Sequence, residues 1–472
     1  MTFSSQFITD AEFITDKVLE VHPRPDFRVG SGGLTTAVAA FREEARKCET
    51  VEGFWDAAQR FMARIGDAHT MMMPLSTHVV SAPVKLELVS GQVVVGNVMP
   101  EFKDVLSRGD IVMFVDSQEV GFRLNAIRET TPFNYFDYGS REAAARLLEF
   151  PAGERDRGKR DRVVLTVARV SGEVQRVEVP LLRSESPEMI EWRTNIARQE
   201  IKRLVQWSVL EDGIGYFRYA LCHDRTSPRF VAEAKKIGVP PDELPVVRDC
   251  ARDFFDTVRA ENISTVVIDL RGNPGGNSEI VRPLLNYICR KPIRSYGIVV
   301  KVSRAVQDHL SARWQNLYTA SFKPFIEQYL EAAPGQFIEV PRRLLEFPYD
   351  GSECYGMWQF TGRLVVLTDA GTFSSAEFLA AELRDNGVGV FVGEPTGGGG
   401  TVPGDPVDFE TPCLKLKFAV SYKLFTRPDR EAEYLPAVVP HYFVSQTLED
   451  YRKGEDTVLN WLIQHHRDLP GR

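Results

Sequence analysis

Three apolar runs constrain this chain most: Thr265-Val-Val-Ile-Asp-Leu270, Gly297-Ile-Val-Val-Lys-Val and Arg363-Leu-Val-Val-Leu-Thr368. A strand with one wet face alternates apolar and polar residues, whereas a short run without alternation belongs to a strand covered on both faces. Helix-period segments separate these runs: Val246 to Glu261, Asn277 to Cys289 with Asn277 or Ser278 as N-cap, and Ser374 to Asp385. Ile214-Gly-Tyr-Phe-Arg-Tyr and Val388-Gly-Val-Phe-Val-Gly393 read as two more strands. Strands that alternate with helices imply a layered α/β unit from about residue 205 onward. The helical stretch Ala305 to Ala333 interrupts that alternation and reads as an inserted arm.

The regions before it differ in kind. Residues 1–78 carry three helix-period runs, around Asp10–Val21, Leu34–Lys47 and Phe54–Ile65. His22-Pro-Arg-Pro ends the first, because proline disfavours helix in the residue before it. Residues 79–184 hold short β-rich runs, among them Val84-Lys-Leu-Glu-Leu-Val, Gln92-Val-Val-Val-Gly, Asp110-Ile-Val-Met-Phe-Val and Arg162-Val-Val-Leu-Thr-Val, with one helical stretch at Ser140–Phe150. The mixed-sign run Gly153 to Asp161 is expected to be a solvated loop.

Composition excludes several function classes. The 472 residues suggest about three domains. The chain has 57 basic against 65 acidic residues, a net charge of −8, so it carries no basic footprint for nucleic acid or an anionic membrane. Its six cysteines are scattered without a C-x-x-C pair, which speaks against a zinc ribbon or a disulfide scaffold. No H-E-x-x-H or other ligand spacing occurs, so no metal is expected. The N-terminus has neither a basic region nor a long apolar core, and no apolar run is long enough to span a membrane. A cytoplasmic protein is therefore expected, and a mature exported form would read the same.

Three segments can carry chemistry. In Val267-Ile-Asp-Leu-Arg-Gly-Asn-Pro-Gly-Gly276 a buried strand runs into a glycine-rich turn and a helix, an arrangement that exposes backbone N–H groups to negative charge. It has neither G-x-G-x-x-G nor G-K-[ST] spacing, so a phosphate loop is disfavoured. In Leu364 to Glu382 a strand turns at Gly371 into a helix beside Ser374 and Ser375. A serine there can be a nucleophile next to an oxyanion hole, or it can simply cap the helix with Glu377 completing a capping box. Gly66-Asp-Ala-His-Thr70 places His69 at a helix end. His22, His441, His465 and His466 read as structural or solvated.

Taken in order, these segments resemble the S41 serine peptidases, the tail-specific and tricorn-core family. Val267 to Gly276 is similar to the family's most specific motif, and Thr372-Phe-Ser-Ser-Ala-Glu377 to its nucleophile box, which implies Ser374 as nucleophile. Leu106-Ser-Arg-Gly-Asp-Ile-Val-Met-Phe-Val-Asp-Ser looks like part of a PDZ domain. The resemblance implies an N-terminal helical region (1–78), a PDZ-like domain (79–184) and a crotonase-like α/β core (185–472) with a helical insertion at about 301–345. The C-terminal processing branch uses a lysine base in a Gly-Lys-Gly loop, and here Gly399 stands at that place. The tricorn-like branch uses a histidine, which implies His69 as base and Glu433, 59 residues past Ser374, as its orienting carboxylate, with Glu431 as the other choice. The degenerate segment Tyr434 to Pro440 leaves that choice open. The oxyanion donors implied are the N–H groups of Gly275 or Gly276 and of Ser375.

The expected activity is therefore hydrolysis of a peptide or an unfolded protein through an acyl-enzyme, without a cofactor. Relatives of this kind assemble, so a homo-oligomer is admitted. The competing reading is an inactive peptide- or lipid-binding protein on the same scaffold. Retention of Ser374 and His69 argues against it.

Overall fold

The computed structural model of the chain describes residues 3–75, 79–151, 161–317, 323–340 and 358–471. The run Gly153–Asp161 lies, apart from its last residue, outside them. The fold is a mixed α/β arrangement built around several separate apolar cores.

The α/β part follows from the uninterrupted apolar runs. Strands Ile214–Tyr219, Thr265–Asp269, Arg363–Thr368 and Val390–Gly393 lie side by side and parallel. Val205–Leu210 adds an antiparallel edge and Tyr442–Phe443 a short parallel one. Alternate side chains of these strands feed two different cores. Val266, Ile268, Leu364 and Val366 face helices Val247–Ala260 and Ser375–Asp385, while Val267, Val365, Leu367 and Val392 face the C-terminal helix Thr457–His465. Covered on both faces, these strands have no need of alternation. The expected helix from Asn277 begins as a 3-10 turn, Ser278–Val281, and becomes α-helical only over Arg282–Ile288. Asn277 does cap it, accepting from the Glu279 N–H.

The β-rich region is an antiparallel sheet of Val84–Val89, Gln92–Val98, Ile111–Val115, Arg162–Ala168 and Val174–Pro180, with Gln118–Glu119 at its rim. Strand Val79–Ser81, where the chain enters this region, pairs with Leu182–Arg183, where it leaves. Paired entry and exit make the region an insertion into the rest of the fold. Helices Val120–Glu129 and Phe136–Ala145 accompany the sheet, the second in place of the expected Ser140–Phe150. Helix Pro187–Ile201 leads back to the α/β part. It was not legible as an element because Met189 is the sole buried residue along it, so it has no apolar stripe to read.

The N-terminal helices Phe3–Val21, Gly30–Lys47 and Val51–Ile65 do not stand alone. Phe7, Phe41, Phe54 and Phe61 share one core with Phe418, Val420 and Tyr422 of strand Lys417–Thr426. Thr50 caps the third helix, and Gly66 ends it in the left-handed region (φ 74°). The chain then adds strand Met71–Met72 antiparallel to Lys417–Thr426, with Met71 opposite Ala419. The stretch expected to be an arm is not one. Its helices Arg304–Leu317 and Lys323–Glu331 place Val306, Leu310, Phe325, Ile326 and Tyr329 in the same core, because that core is open without them.

One buried ion pair locks the C-terminal segment onto the α/β part. The Arg427 guanidinium donates to both carboxylate oxygens of Asp385, each at 2.9 Å, and to the Ala437 carbonyl at 3.2 Å. Both side chains are at most 3% exposed. Removing one partner leaves the other charged and unpaired in the interior, a loss of about 3–5 kcal/mol. Arg427→Ala and Asp385→Ala should each lower the denaturant midpoint by that measure. The double variant should lose clearly less than their sum in a thermodynamic cycle.

Candidate active site

The glycine-rich turn and the nucleophile turn are cross-tied at the ends of neighbouring parallel strands. The Asp369 carboxylate accepts the Gly272 N–H (2.8 Å) and the Gly371 N–H (2.9 Å). The Thr372 hydroxyl donates to the Leu270 carbonyl, and the Phe373 N–H to the Asn273 carbonyl, both at 2.9 Å. These bonds force a sharp turn on the residue that follows. Ser374 has φ 53° and ψ −124°, a conformation that a non-glycine residue holds only when its surroundings over-determine it. Its side chain makes no capping bond, so the helix-cap alternative does not hold.

The Ser374 hydroxyl lies 3.2 Å from His69 Nε2, across 305 residues of chain. The imidazole stacks on Phe373 (centroids 5.2 Å apart), which stacks in turn on Tyr138 of helix Phe136–Ala145 (4.2 Å). The His69 turn is held by Asp67, a carboxylate 1% exposed. Its Oδ2 accepts the Thr70 hydroxyl (2.6 Å), the Ser421 hydroxyl (2.5 Å) and the His22 Nε2–H (3.2 Å). Its Oδ1 accepts the backbone N–H of His69 (3.0 Å). His22 Nδ1 accepts from the Arg24 N–H, which leaves its proton on Nε2. Burial alone would raise the Asp67 carboxyl, but His22 and His69 hold it well below the usual carboxylate range.

The carboxylate nearest the ring is not the expected one. His69 Nδ1 has no hydrogen-bond partner among the described residues, and the carboxylate paired with it is Asp67, with Oδ1 at 3.7 Å. Glu433 forms no ion pair or hydrogen bond with the ring; it sits on the 3-10 turn after Asp429, and its carbonyl accepts the Thr401 N–H. Glu431 is exposed on the same turn. Asp67 stands two residues before His69 and was legible as part of Gly-Asp-Ala-His-Thr. A sequence does not show, however, that a strand pairing would bury it.

The glycine pair divides its work. A Cβ on Gly275 would lie 2.7 Å from the Ser374 Cβ and 2.8 Å from the Ser375 nitrogen, so only glycine fits. The Gly275 N–H, however, is donated to the Asn273 Oδ1 (2.9 Å). Residue Cys222 bridges the turn by its N–H to the Gly275 carbonyl and its carbonyl to the Asn277 N–H. That bridge leaves the Gly276 N–H directed away from Cys222 and uncommitted among the described residues. Ser375 is braced, its hydroxyl donating to the Gly276 carbonyl (2.8 Å) and accepting from Ser278 (2.9 Å), while its own N–H is uncommitted. The available pair is therefore Gly276 and Ser375.

Gly399, the residue read from the sequence as standing in place of a lysine, is packed closely: a Cβ there would meet the Val438 nitrogen at 2.8 Å. Among the described residues no group of three or more metal-ligating side chains occurs, and no helix is long and apolar enough to cross a membrane.

Residues 246–422 match the family model for Peptidase family S41. No curated protein matches the chain. Among solved structures, a CPAF mutant superposes with a TM-score of 0.72 at 16% identity, over 96% of this chain and 95% of its own. Mature CPAF complexed with lactacystin gives 0.69 at 15% identity, over 98% of each chain. Mature CPAF gives 0.69 at 16%, over 98% of this chain and 96% of its own. At such identities the likeness is one of fold.

Glu377 gives the site a measurable signature. Burial pushes the carboxyl up to about 8 against the opposing pull of Arg427 and of the Ser374 backbone N–H. The folded chain thus holds a proton here that the unfolded chain releases near its ordinary 4.5. Stability should fall as pH rises through the window from 4.5 to about 8. Glu377→Gln should flatten that part of the stability–pH curve in denaturant titrations. The two cross-tied turns and their uncommitted N–H pair all fall within residues 246–422, the segment similar to Peptidase family S41.

Proposed function

We propose that the chain hydrolyses peptide bonds by a serine–histidine mechanism, with Ser374 as nucleophile and His69 as base. The observation that carries this is the 3.2 Å contact between His69 Nε2 and a Ser374 held in a strained turn. A serine hydroxyl is a poor nucleophile at neutral pH and needs a base within hydrogen-bond reach. As Ser374 Oγ attacks the carbonyl carbon, its proton passes to His69 Nε2. The oxyanion is met by the Gly276 and Ser375 N–H groups, each worth about 3 kcal/mol of barrier. His69 then protonates the leaving amine, and water attacks the ester by the same route in reverse. Asp67, ionised and 3.7 Å from Nδ1, stabilises the transient imidazolium and holds the turn; it takes the role first assigned to Glu433. No lysine is required, which fits glycine at position 399.

The substrate class is a peptide or an unfolded protein, and no cofactor enters the reaction. We read 1–78 as the helical region that carries the base, 79–184 as a PDZ-like insertion, and 185–472 as a crotonase-like core. The paired entry and exit strands at Val79–Ser81 and Leu182–Arg183 support this division. So does the shared core of the N-terminal helices with strand Lys417–Thr426, which makes the base-bearing region integral to the site.

Hydrolysis of a fluorogenic peptide library tests the reading. Ser374→Ala should abolish turnover with the fold intact by circular dichroism. Ser375→Ala should keep most of it, since Ser375 contributes through its backbone. His69→Ala should lower kcat by about 10⁴-fold or more, as loss of a base that acts as one unit with the nucleophile does. Reversed serine effects would shift the nucleophile by one residue, and an activity indifferent to His69→Ala would remove histidine as the base.

A further inference from the structure

A second imidazole flanks the oxyanion turn, and the mechanism above does not use it. His223 follows Cys222, the residue that bridges Gly275 and Asn277, so its backbone is tied to the turn itself. A Cβ on Gly276 would lie 2.9 Å from His223 Nε2 and 2.5 Å from the Cys222 carbonyl oxygen, so glycine is what lets the ring come this close. The ring is fixed elsewhere as well. It stacks on Phe230 with centroids 5.7 Å apart and planes within 9°. Its Nδ1 lies 3.4 Å from the Ser227 hydroxyl, whose oxygen also receives the Asp224 N–H. Asp224, buried, accepts the Thr226 and Val247 N–H groups and makes the loop rigid.

The hydrogen-bond pattern accommodates a tautomer in which Nε2 donates. While its oxygen accepts from Asp224, Ser227 can still donate its hydroxyl proton to Nδ1, and in that arrangement the ring proton sits on Nε2. That N–H has no protein partner among the described residues, and it points to the face of Gly276 beside the proposed oxyanion pocket. Burial lowers the pKa of His223, in keeping with a neutral ring.

We propose that His223 is a substrate-positioning residue, donating from Nε2 to an oxygen acceptor of the peptide residue that flanks the scissile bond. This rests on the peptidase reading above. The acceptor is a carboxyl-type oxygen: either an internal peptide carbonyl or, for a cleavage near the end of the substrate, its terminal carboxylate. A positioning contact of this kind binds ground state and transition state alike, so its loss moves KM more than kcat.

The test uses the full-length chain, two fluorogenic peptides identical except for a free or amidated C-terminus, and a fluorophosphonate probe without peptide residues. His223→Ala should raise KM by roughly three- to tenfold with kcat nearly unchanged, the worth of one hydrogen bond. His223→Gln, whose amide nitrogen reaches the place of Nε2, should restore most of the loss. Fluorophosphonate labelling should proceed at the wild-type rate in both variants, since it needs the nucleophile and oxyanion donors but no peptide contact. An effect on both peptides identifies the internal carbonyl, and an effect on the free acid alone identifies the carboxylate. An unchanged KM, no rescue by glutamine, or a loss of labelling that marks His223 as a mere brace of the turn would overturn the inference. A wild-type chain that neither labels nor cleaves would overturn the peptidase reading first and this inference with it.

Discussion

A buried carboxylate, Asp67, is the constraint on which the arrangement depends. It takes three side-chain donors on one oxygen, from the end of the first helix (His22), from its own turn (Thr70) and from the far strand (Ser421). Hydrogen bonds to a charged group are each worth about 1.5–3 kcal/mol, and an ionised carboxylate in the interior is tolerable only with such partners. The knot therefore does two things at once. It closes the N-terminal helices onto strand Lys417–Thr426, with Met71–Met72 extending the sheet, and it sets the direction in which His69 leaves the turn. His69 is thus brought to Ser374 by the packing of the N-terminal helices against strand Lys417–Thr426.

Ser374, the proposed nucleophile, is held by a different means. Ser374 sits in a conformation that costs of order 1–3 kcal/mol, held by bonds from Asp369, Thr372 and Phe373 to the glycine-rich turn. The same close approach requires glycine at 275, and among the described residues the N–H groups of Gly276 and Ser375 have no partner. Strain at one residue and uncommitted donors at its neighbours have a common origin: two strand-end turns pressed together until only one hydroxyl and two amides project. Tyr138, reaching from the β-rich insertion onto Phe373, completes the wall behind His69.

Much of this was legible in the sequence where one local pattern decides the structure. The apolar runs at 265–270 and 363–368 read as buried strands, and the parallel sheet contains both; Gly297–Lys301, read the same way, pairs antiparallel with Lys417–Thr426 in another sheet. Ser374, His69 and the Gly275–Gly276 pair were nameable because each lies in a compact motif, and the structure gathers them. What was hidden depends on distant contacts. The carboxylate beside His69 could not be chosen from spacing, since one of the groups that close over Asp67, Ser421, lies 354 residues away. The choice between Gly275 and Gly276 turned on the Asn273 side chain, whose direction no sequence reveals. Helices Arg304–Leu317 and Lys323–Glu331 looked like an arm because their apolar faces meet a core contributed by the other end of the chain. His223 carried no motif; its place follows from a single backbone bridge.

The central claim is that a histidine from the N-terminal region activates a serine in the α/β core. Peptide mapping of the fluorophosphonate-treated chain tests it most directly. The account predicts a single adduct on Ser374 in the wild type and almost none in His69→Ala under the same exposure. An adduct on another serine, or equal modification of Ser374 with and without His69, would contradict it.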